Sequence, residues 1–450
     1  MKISILTVFP ELYDSFLKTS IIGRAVEQGL VEFNFVRFSD ICEPKERIDE
    51  PTVGHGVGMV LKPEVVERAI NLVEEKWGKG LKLFFSPKGT KLTQPVLKSL
   101  IKKIQTSKIL VDESLVDNHL ILVCCRYEGM DERVLKYYAD QIVSIGDYVL
   151  MGGDLPAQIL LEGILRLLPK VVGKEESVKE ESFEGAFLDH PQYGLPVEWN
   201  GLKIPDVLRS GNHAGIKKWR EGAAAQQTIF ERFDWFKGNK LSGEEKALGK
   251  KFIPNHYVAL MHTEIIVKDR GEFRVGDSSI TSLDIHDIAR SSATYGIENF
   301  FLVSRLKDQH AIATEFLSFW LSPEGQKYNP NRYDAVKRVE KTFSLDETIE
   351  FIKQKEGKDP ILVATSAQEY KDIREIDYHS QGFLWREERP VLLVFGTGQG
   401  LSDTVLNRCH YLLMPVVGLE DFNHLSVRSA VGIILDRWLG INPKNNLVSD

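Results

Sequence analysis

The chain has 450 residues, 43% hydrophobic and 27% charged, with a formal net charge of −7. That length holds two or three domains with real cores, and the composition is that of an ordinary soluble globular protein. No apolar run approaches the ~18 residues of a membrane span, and the acidic balance argues against a nonspecific nucleic-acid binder while leaving room for a locally basic face.

The start, MKISILTVFPELYD, meets proline and acid too soon for a signal peptide and reads as a first strand. Four cysteines without a C-x-x-C give no zinc or disulfide framework. A cytoplasmic location is expected. Over the first ~160 residues, ISILTVF, VEFNFVRF, LKLFFS, HLILVCC and QIVSI read as strands. PEVVERAINLVEEKW reads as a helix with Pro63 in its first turn. Adjacent Cys124 and Cys125 in a strand should face opposite ways. A glycine turn, SIGDYVLMGGDLP, follows, and LPAQILLEGILRLLP reads as a helix. KEESVKEESFEG is a charged linker. Residues ~186 to 250 show no strand alternation, and ERFDWF and GEEKALGKKF read as helical. Two basic clusters, KSLIKKIQTSK and HAGIKKWR, are read by themselves as solvated helix faces.

Near Ile253 the alternation restarts with HYVALMHTEIIV, ENFFLVS, PILVATSA, PVLLVFGTG and HYLLMPV. LDIHDIARSSATYG and SVRSAVGIILDRWLG read as helices. The prediction is α/β with mostly parallel sheets, in two domains around a helical module. The second glycine turn, FGTGQGL, is not a dinucleotide fingerprint, because Leu401 stands where a third spaced glycine belongs. Neither turn has the spacing of a phosphate-cradling loop. Each implies a backbone that approaches a ligand closely, and together they suggest two sites of one kind.

CCRYEGMDERV, SIGDYVLMGGDLPA, SGNHAGIKKWR and FPELYDSFLKTSIIGRAVEQGLVEF together resemble the bacterial tRNA (guanine-N1)-methyltransferase (TrmD) family, from Met1 to about Phe252. The rest resembles the wider SPOUT class of RNA methyltransferases through ITSLDIHDIARSSATYGIENFFLV, FGTGQGL and MPVVGLEDFNHLSVRSA. The resemblance implies two SPOUT-type, trefoil-knotted domains flanking a small helical domain. Their expected bounds are residues 1–168 for the first, 169–185 for a linker with a catalytic carboxylate, 186–252 for a helical tRNA-binding domain and 253–450 for the second. It also implies S-adenosylmethionine (SAM) at both glycine turns, methylation of guanine N1 at position 37 of tRNA, and a homodimer with the active site at the subunit interface. Magnesium dependence is implied as well, without a dedicated ligand set in the sequence.

N1 of neutral guanine carries a proton, so the chemistry needs a general base and a cationic partner for charge developing on O6. The resemblance puts the base at Glu181, where the family has an aspartate, and its arginine partner at Arg166. Read alone, these are a linker charge and a helix C-terminal charge. Glu128 matches the acid that reads the guanine edge. Asp189 matches a further acidic position, with a turn or cap as its alternative. For the cofactor, Ile145, Gly146, Asp147, Tyr148, Val149 and Leu150 offer backbone groups, Gly152 and Gly153 allow close approach, and Ser86 and Pro87 form a second wall. Cys125 replaces a family glycine, and in GHGVGM Val57 replaces a usual proline. In the second domain Arg290 matches the arginine expected at a ribose hydroxyl, and Gly396, Gly398 and Met414 match the cofactor wall. His424 occupies the nearest register to a motif asparagine. Asp284, His286 and Asp287 lack a fourth partner for a metal. The rival is a second half that binds RNA or dimerises without catalysis.

Overall fold

The computed structural model describes residues 1–54, 56–106, 118–172, 181–368, 370 and 373–441. Most of the charged linker, Lys174–Glu180, and the end of the KSLIKKIQTSK cluster lie outside them. The chain divides into two compact units, Met1–Glu181 and Ser182–Asp450.

In the first unit the strands are β1 (Lys2–Thr7), β2 (Glu32–Arg37), β3 (Asp49–Pro51), β4 (Met59–Leu61), β5 (Leu81–Lys91), β6 (His119–Val123) and β7 (Gln141–Ser144). Five form an all-parallel sheet of order β2-β1-β6-β5-β7, and β3 with β4 makes an antiparallel hairpin. Runs such as His119–Val123 are buried along their whole length, as a parallel sheet covered on both faces requires. Helix Asp154–Arg166 packs Ala157, Leu160, Leu161 and Ile164 onto one face. Helix Pro63–Trp77 packs Val66, Ala69, Ile70 and Val73 onto the other. Cys124 joins the first of these cores and Cys125 borders the second, so the pair does face opposite ways. The β5–β7 register breaks between Phe85 and Thr90, and Ser86–Gly89 swing out of the ladder. A Cβ on Gly89 would stand 2.7 Å from the main chain of Ile142 and Val143, so only glycine fits that crossing.

The second unit opens with the helical segment, whose helices span His213–Glu231, Phe233–Gly238 and Gly243–Lys250. It also holds a small hairpin of β8 (Glu198–Trp199) and β9 (Leu202–Lys203), which departs from the strand-free expectation. Asn200 and Gly201 turn it, both at positive φ, and Asn-Gly favours such a turn. There follow β10 (His256–Met261), β11 (Ile265–Asp269), β12 (Glu272–Gly276), β13 (Phe300–Val303), β14 (Val339–Thr342), β15 (Ile361–Thr365), β16 (Glu375–Ile376), β17 (Val391–Gly396) and β18 (Tyr411–Leu413). Seven make an all-parallel sheet of order β14-β13-β10-β17-β15-β18-β16, and β11 pairs with β12 in an antiparallel hairpin. HYVALMHTEIIV is thus two strands, broken where Glu264 takes φ +54°.

The helical segment shares its core with this sheet. Ile229, Phe233 and Phe236 pack in one cluster with Val258, Leu260, Trp385 and Trp438. His256 is the polar hub of that core. Its Nδ1 lies 2.7 Å from the Pro254 carbonyl, and its Nε2 accepts from the indoles of Trp438 at 3.0 Å and Trp385 at 3.3 Å. Indoles only donate, so the proton must sit on Nδ1. Burial holds the ring neutral, with a pKa of about 4.

Candidate active site

At the carboxyl ends of β5, β6 and β7 lies a cavity of about 300 Å³, the place where open parallel sheets bind ligands. Its walls come from three stretches of chain: Phe85, Ser86 and Pro87, where β5 leaves its ladder; Cys125 and Tyr127–Gly129 beyond β6; and residues between Val143 and Pro156, from the end of β7 into the turn and helix that follow. Ile145, Gly146, Tyr148, Val149, Leu150, Gly152 and Gly153 all line it, together with Glu128. Asp147 does not. Its carboxylate turns outward to Lys91 at 2.9 Å. The glycine pair is dictated by a close crossing: Gly153 N–H donates to the Cys125 carbonyl at 2.8 Å, and a Cβ there would lie 3.0 Å from Cys124 Cα.

A buried acid under this turn was not read from the sequence. Asp154 is 1% exposed and accepts from Thr7 Oγ1 at 2.5 Å, Arg126 Nε at 3.0 Å and the Tyr13 hydroxyl at 3.3 Å. Its signal was an acid in the first turn of a helix after two glycines, but its partners are remote in sequence. Burial, then Cys124 and Asp154, push the Tyr13 phenol well up, so it stays a donor. Burial also raises the Cys125 thiol, whose Sγ turns toward the Phe85 carbonyl at 3.9 Å.

Glu128 is held from behind by the glycine loop of GHGVGM. Gly58 has φ +93°, and a Cβ on it would fall 2.6 Å from Glu128 Cγ. Main-chain bonds from Glu128 N to Met59 O at 3.1 Å and from Leu61 N to Gly129 O at 3.0 Å clamp the two segments. Val57 is exposed and packs no core. Tyr127, beside Glu128, adopts φ +59°, a left-handed state that costs a non-glycine residue about 1–3 kcal/mol and gathers at functional sites.

Glu181 and Arg166 form a two-pronged ion pair, Nη1 to Oε2 and Nη2 to Oε1. Neither lines the cavity. Asp189 belongs to the second unit, where its main-chain N–H donates to Ser182 Oγ at 2.9 Å and its carboxylate accepts from His190 N at 2.8 Å. It lines a cleft of about 800 Å³ with His190, Tyr193, Lys218, Trp219, Gln226 and Glu231.

In the second glycine turn the close neighbour at Gly398 is protein. Gly398 sits at φ +63°, and a Cβ on it would meet the Ile266 carbonyl at 2.8 Å. The β11–β12 hairpin is bonded there by Gln399 N to Ile266 O at 2.8 Å and Ile266 N to Gly400 O at 2.9 Å. Gly396 lies against the turn's own Gly400 and Leu401. Beneath, Thr397 Oγ1 donates to Met261 O at 2.9 Å, so it accepts from Ser278 Oγ at 2.6 Å, which in turn accepts from His262 Nδ1 at 3.0 Å. His262 is wholly buried and held at a pKa of about 4 by burial, with Nε2 unpartnered among the described residues. Met414 is half-exposed, its carbonyl taken by the Tyr378 hydroxyl. Arg290 is exposed on helix Ser282–Thr294. His286 packs edge-on to Trp320, while Asp284 and Asp287 face Arg428 at 3.2 and 3.6 Å. Among the described residues no three His, Cys, Asp or Glu side chains are grouped to hold a metal.

A parallel sheet with a crevice at its carboxyl edge, walled by a glycine turn and an acid, is the arrangement of an α/β ligand-binding enzyme. The family profile described as tRNA (Guanine-1)-methyltransferase TrmD matches residues 1–238, and one described as SAM-dependent RNA methyltransferase matches residues 255–440. The chain belongs to the tRNA (guanine-1)-methyltransferase TrmD family. It is 36% identical over 446 residues, 98% of this chain and 99% of the relative, to a tRNA (guanine-N(1)-)-methyltransferase of Nitratidesulfovibrio vulgaris. The enzyme of the same name from Bacillus licheniformis is 39% identical over 248 residues, covering 55% of this chain and 96% of the relative. The crystal structure of the tRNA (m1G37) methyltransferase from Aquifex aeolicus is similar over 49% of this chain and 87% of its own, at 31% identity and a TM-score of 0.39. No described helix is long and apolar enough to cross a membrane.

Proposed function

We propose that the first unit transfers a methyl group from SAM to N1 of guanine 37 in tRNA. The observation that carries this is the convergence of Ser86, Cys125, Glu128 and the Ile145–Gly153 turn on one cavity. The cavity is of the size and mixed lining that suits a small cofactor. Backbone groups of Ile145–Leu150 would bind the adenine, and Gly152 with Gly153 keeps the main chain close. SAM supplies an already activated methyl group, so the protein's part is to orient and deprotonate. Glu128, fixed by the Gly58 loop, accepts from the exocyclic amine of guanine. Glu181 takes the N1 proton on a carboxylate lone pair that its Arg166 bonds leave free, and Arg166 steadies the charge at O6. The residues present form no ligand set for magnesium among those described, and no step is assigned to it.

Glu181 and Arg166 stand outside the cavity wall of their own chain, which favours a homodimer in which one subunit's linker closes over the other's cofactor. A trefoil knot would account for the tight crossings at Gly89 and Gly153. The second α/β domain is read as a SAM-dependent RNA methyltransferase with Arg290 at a ribose hydroxyl. A cytoplasmic enzyme is expected. The test is methylation of tRNA transcripts with guanine or adenine at positions 36 and 37, followed by nucleoside analysis. 1-Methylguanosine should form only with guanine 37 and be favoured by guanine 36, and equal rates with adenine 36 would break the role given to Glu128.

A further inference from the structure

The second α/β domain is tied to the helical segment at three levels. The cores are continuous, as Phe233 meets Trp385 at 4.7 Å between ring centres. The main chains touch, because a Cβ on Gly382 would stand 1.9 Å from the Phe230 carbonyl. The last helix, Val427–Leu439, then links the helical segment to the helix carrying Arg290. At one end Lys237 Nζ donates to the Arg437 carbonyl at 3.2 Å and Tyr295 bonds the neighbouring Asp436 at 2.9 Å; at the other end Arg428 pairs with Asp284. Thirteen helical residues span only about 20 Å. The rim of the 800 Å³ cleft is shared too, since Glu231 lines it and pairs with Arg386 of the α/β domain at 2.5 Å. A close-packed interior transmits position rather than absorbing it.

The cleft itself has the chemistry of a nucleic-acid grip. Tyr193 and Trp219 offer faces for base stacking with ring centres 6.0 Å apart, and Lys218 supplies a cation. We propose that the RNA methylated by the second domain is the same tRNA molecule that the helical segment holds for the first site. This rests on reading the second domain as an RNA methyltransferase. One compact unit then carries both the grip and Arg290, and no separate docking surface for another RNA is needed.

The experiment uses the full chain with Glu181→Gln, which silences the first site. It is given labelled SAM with a tRNA transcript or with ribosomal RNA, and again after Trp219→Ala or Lys218→Glu is added. Label should enter tRNA, in a nucleoside other than 1-methylguanosine, and vanish with Arg290→Ala. Loss of one stacked base should lower that transfer about fivefold or more. Label entering ribosomal RNA, undiminished by either cleft variant, overturns the inference and leaves the methyltransferase reading intact. No label in any RNA, from a chain whose wild type still makes 1-methylguanosine, removes the second-site reading and the inference together.

Discussion

The two glycine turns look alike in sequence and differ in what lies against them. In the first unit the turn crosses Cys124–Arg126 on one side and opens on a cavity of about 300 Å³ on the other. In the second, a β-hairpin runs across the turn and takes main-chain bonds from Gln399 and to Gly400. A glycine therefore reports that something comes close to the backbone, not what it is. The expectation of one ligand for both turns comes from the resemblance to a methyltransferase class, not from the glycines. The geometry around Gly398 is already explained by Ile266.

The contrast can be tested in order of expected effect. Glu181→Gln should lower methyl transfer by ~10²–10⁴ with SAM binding near normal, whereas Glu181→Asp, which restores the family's carboxylate, should keep substantial activity. Unchanged turnover in Glu181→Gln, by nucleoside analysis, would remove the base from the first half. Acid should next weigh most heavily on the second unit, since among the described residues the first holds one such ring, His119, whose pKa burial also lowers. His256 and His262 are neutral in the fold with pKa values of about 4, below the ~6.5 of a free imidazole. The unfolded chain thus binds protons first, so stability is full above pH ~6.5 and falls as pH drops toward 4. The loss approaches about 3 kcal/mol per ring. Thermal unfolding followed from pH 7 to pH 4 should show the second unit melting progressively lower, and a flat profile would contradict the buried neutral rings.

Glycine substitutions come third. Gly398→Ala places a side chain at φ +63° and 2.8 Å from the Ile266 carbonyl, so it should destabilise the second unit by about 1–3 kcal/mol, read in its melting temperature. Gly153→Ala meets Cys124 and Cys125 main chain at 3.0 and 3.1 Å, and should weaken SAM binding about tenfold in titration calorimetry, a loss of ~1.4 kcal/mol. If Gly398→Ala leaves the melt untouched, the hairpin is not what the glycine serves. The smallest effect belongs to Asp147→Ala. Its ion pair with Lys91 is largely exposed and worth under about 1 kcal/mol, so SAM affinity should change less than about twofold.

Legibility in the sequence followed the range of the interaction. The central parallel strands were readable because burial on both faces writes a continuous apolar run, as in His119–Val123 and Val391–Phe395. β14 and β16 were not, since VEKT and EI are short and charged. The β8–β9 hairpin had a local signal in Asn200–Gly201 that the lack of apolar alternation obscured. The cavity-lining residues were legible through the family resemblance. The network under them was not, because Thr7, Tyr13 and Arg126 reach Asp154 from distant parts of the chain. Nothing local in FGTGQGL announces a hairpin from 130 residues upstream. The shared core of the helical segment and the second sheet was invisible for the same reason: Phe233 and Trp385 each read as ordinary apolar residues.

The His256 hub has a consequence for how the protein is made. Its three polar partners span Pro254 to Trp438, and the core around it also needs Ile229 and Phe233 from the helical segment. A ribosome delivers Phe233 roughly 200 residues ahead of Trp438, about 10–40 s at ordinary elongation rates. For that interval the apolar face of the nascent helical segment has no complete sheet to cover it, and the His256 ring awaits its two indole donors. The first unit is complete in sequence long before this and can close its own core. Synthesis from the N-terminus thus orders the two units in time, and the later one is the client a chaperone would meet.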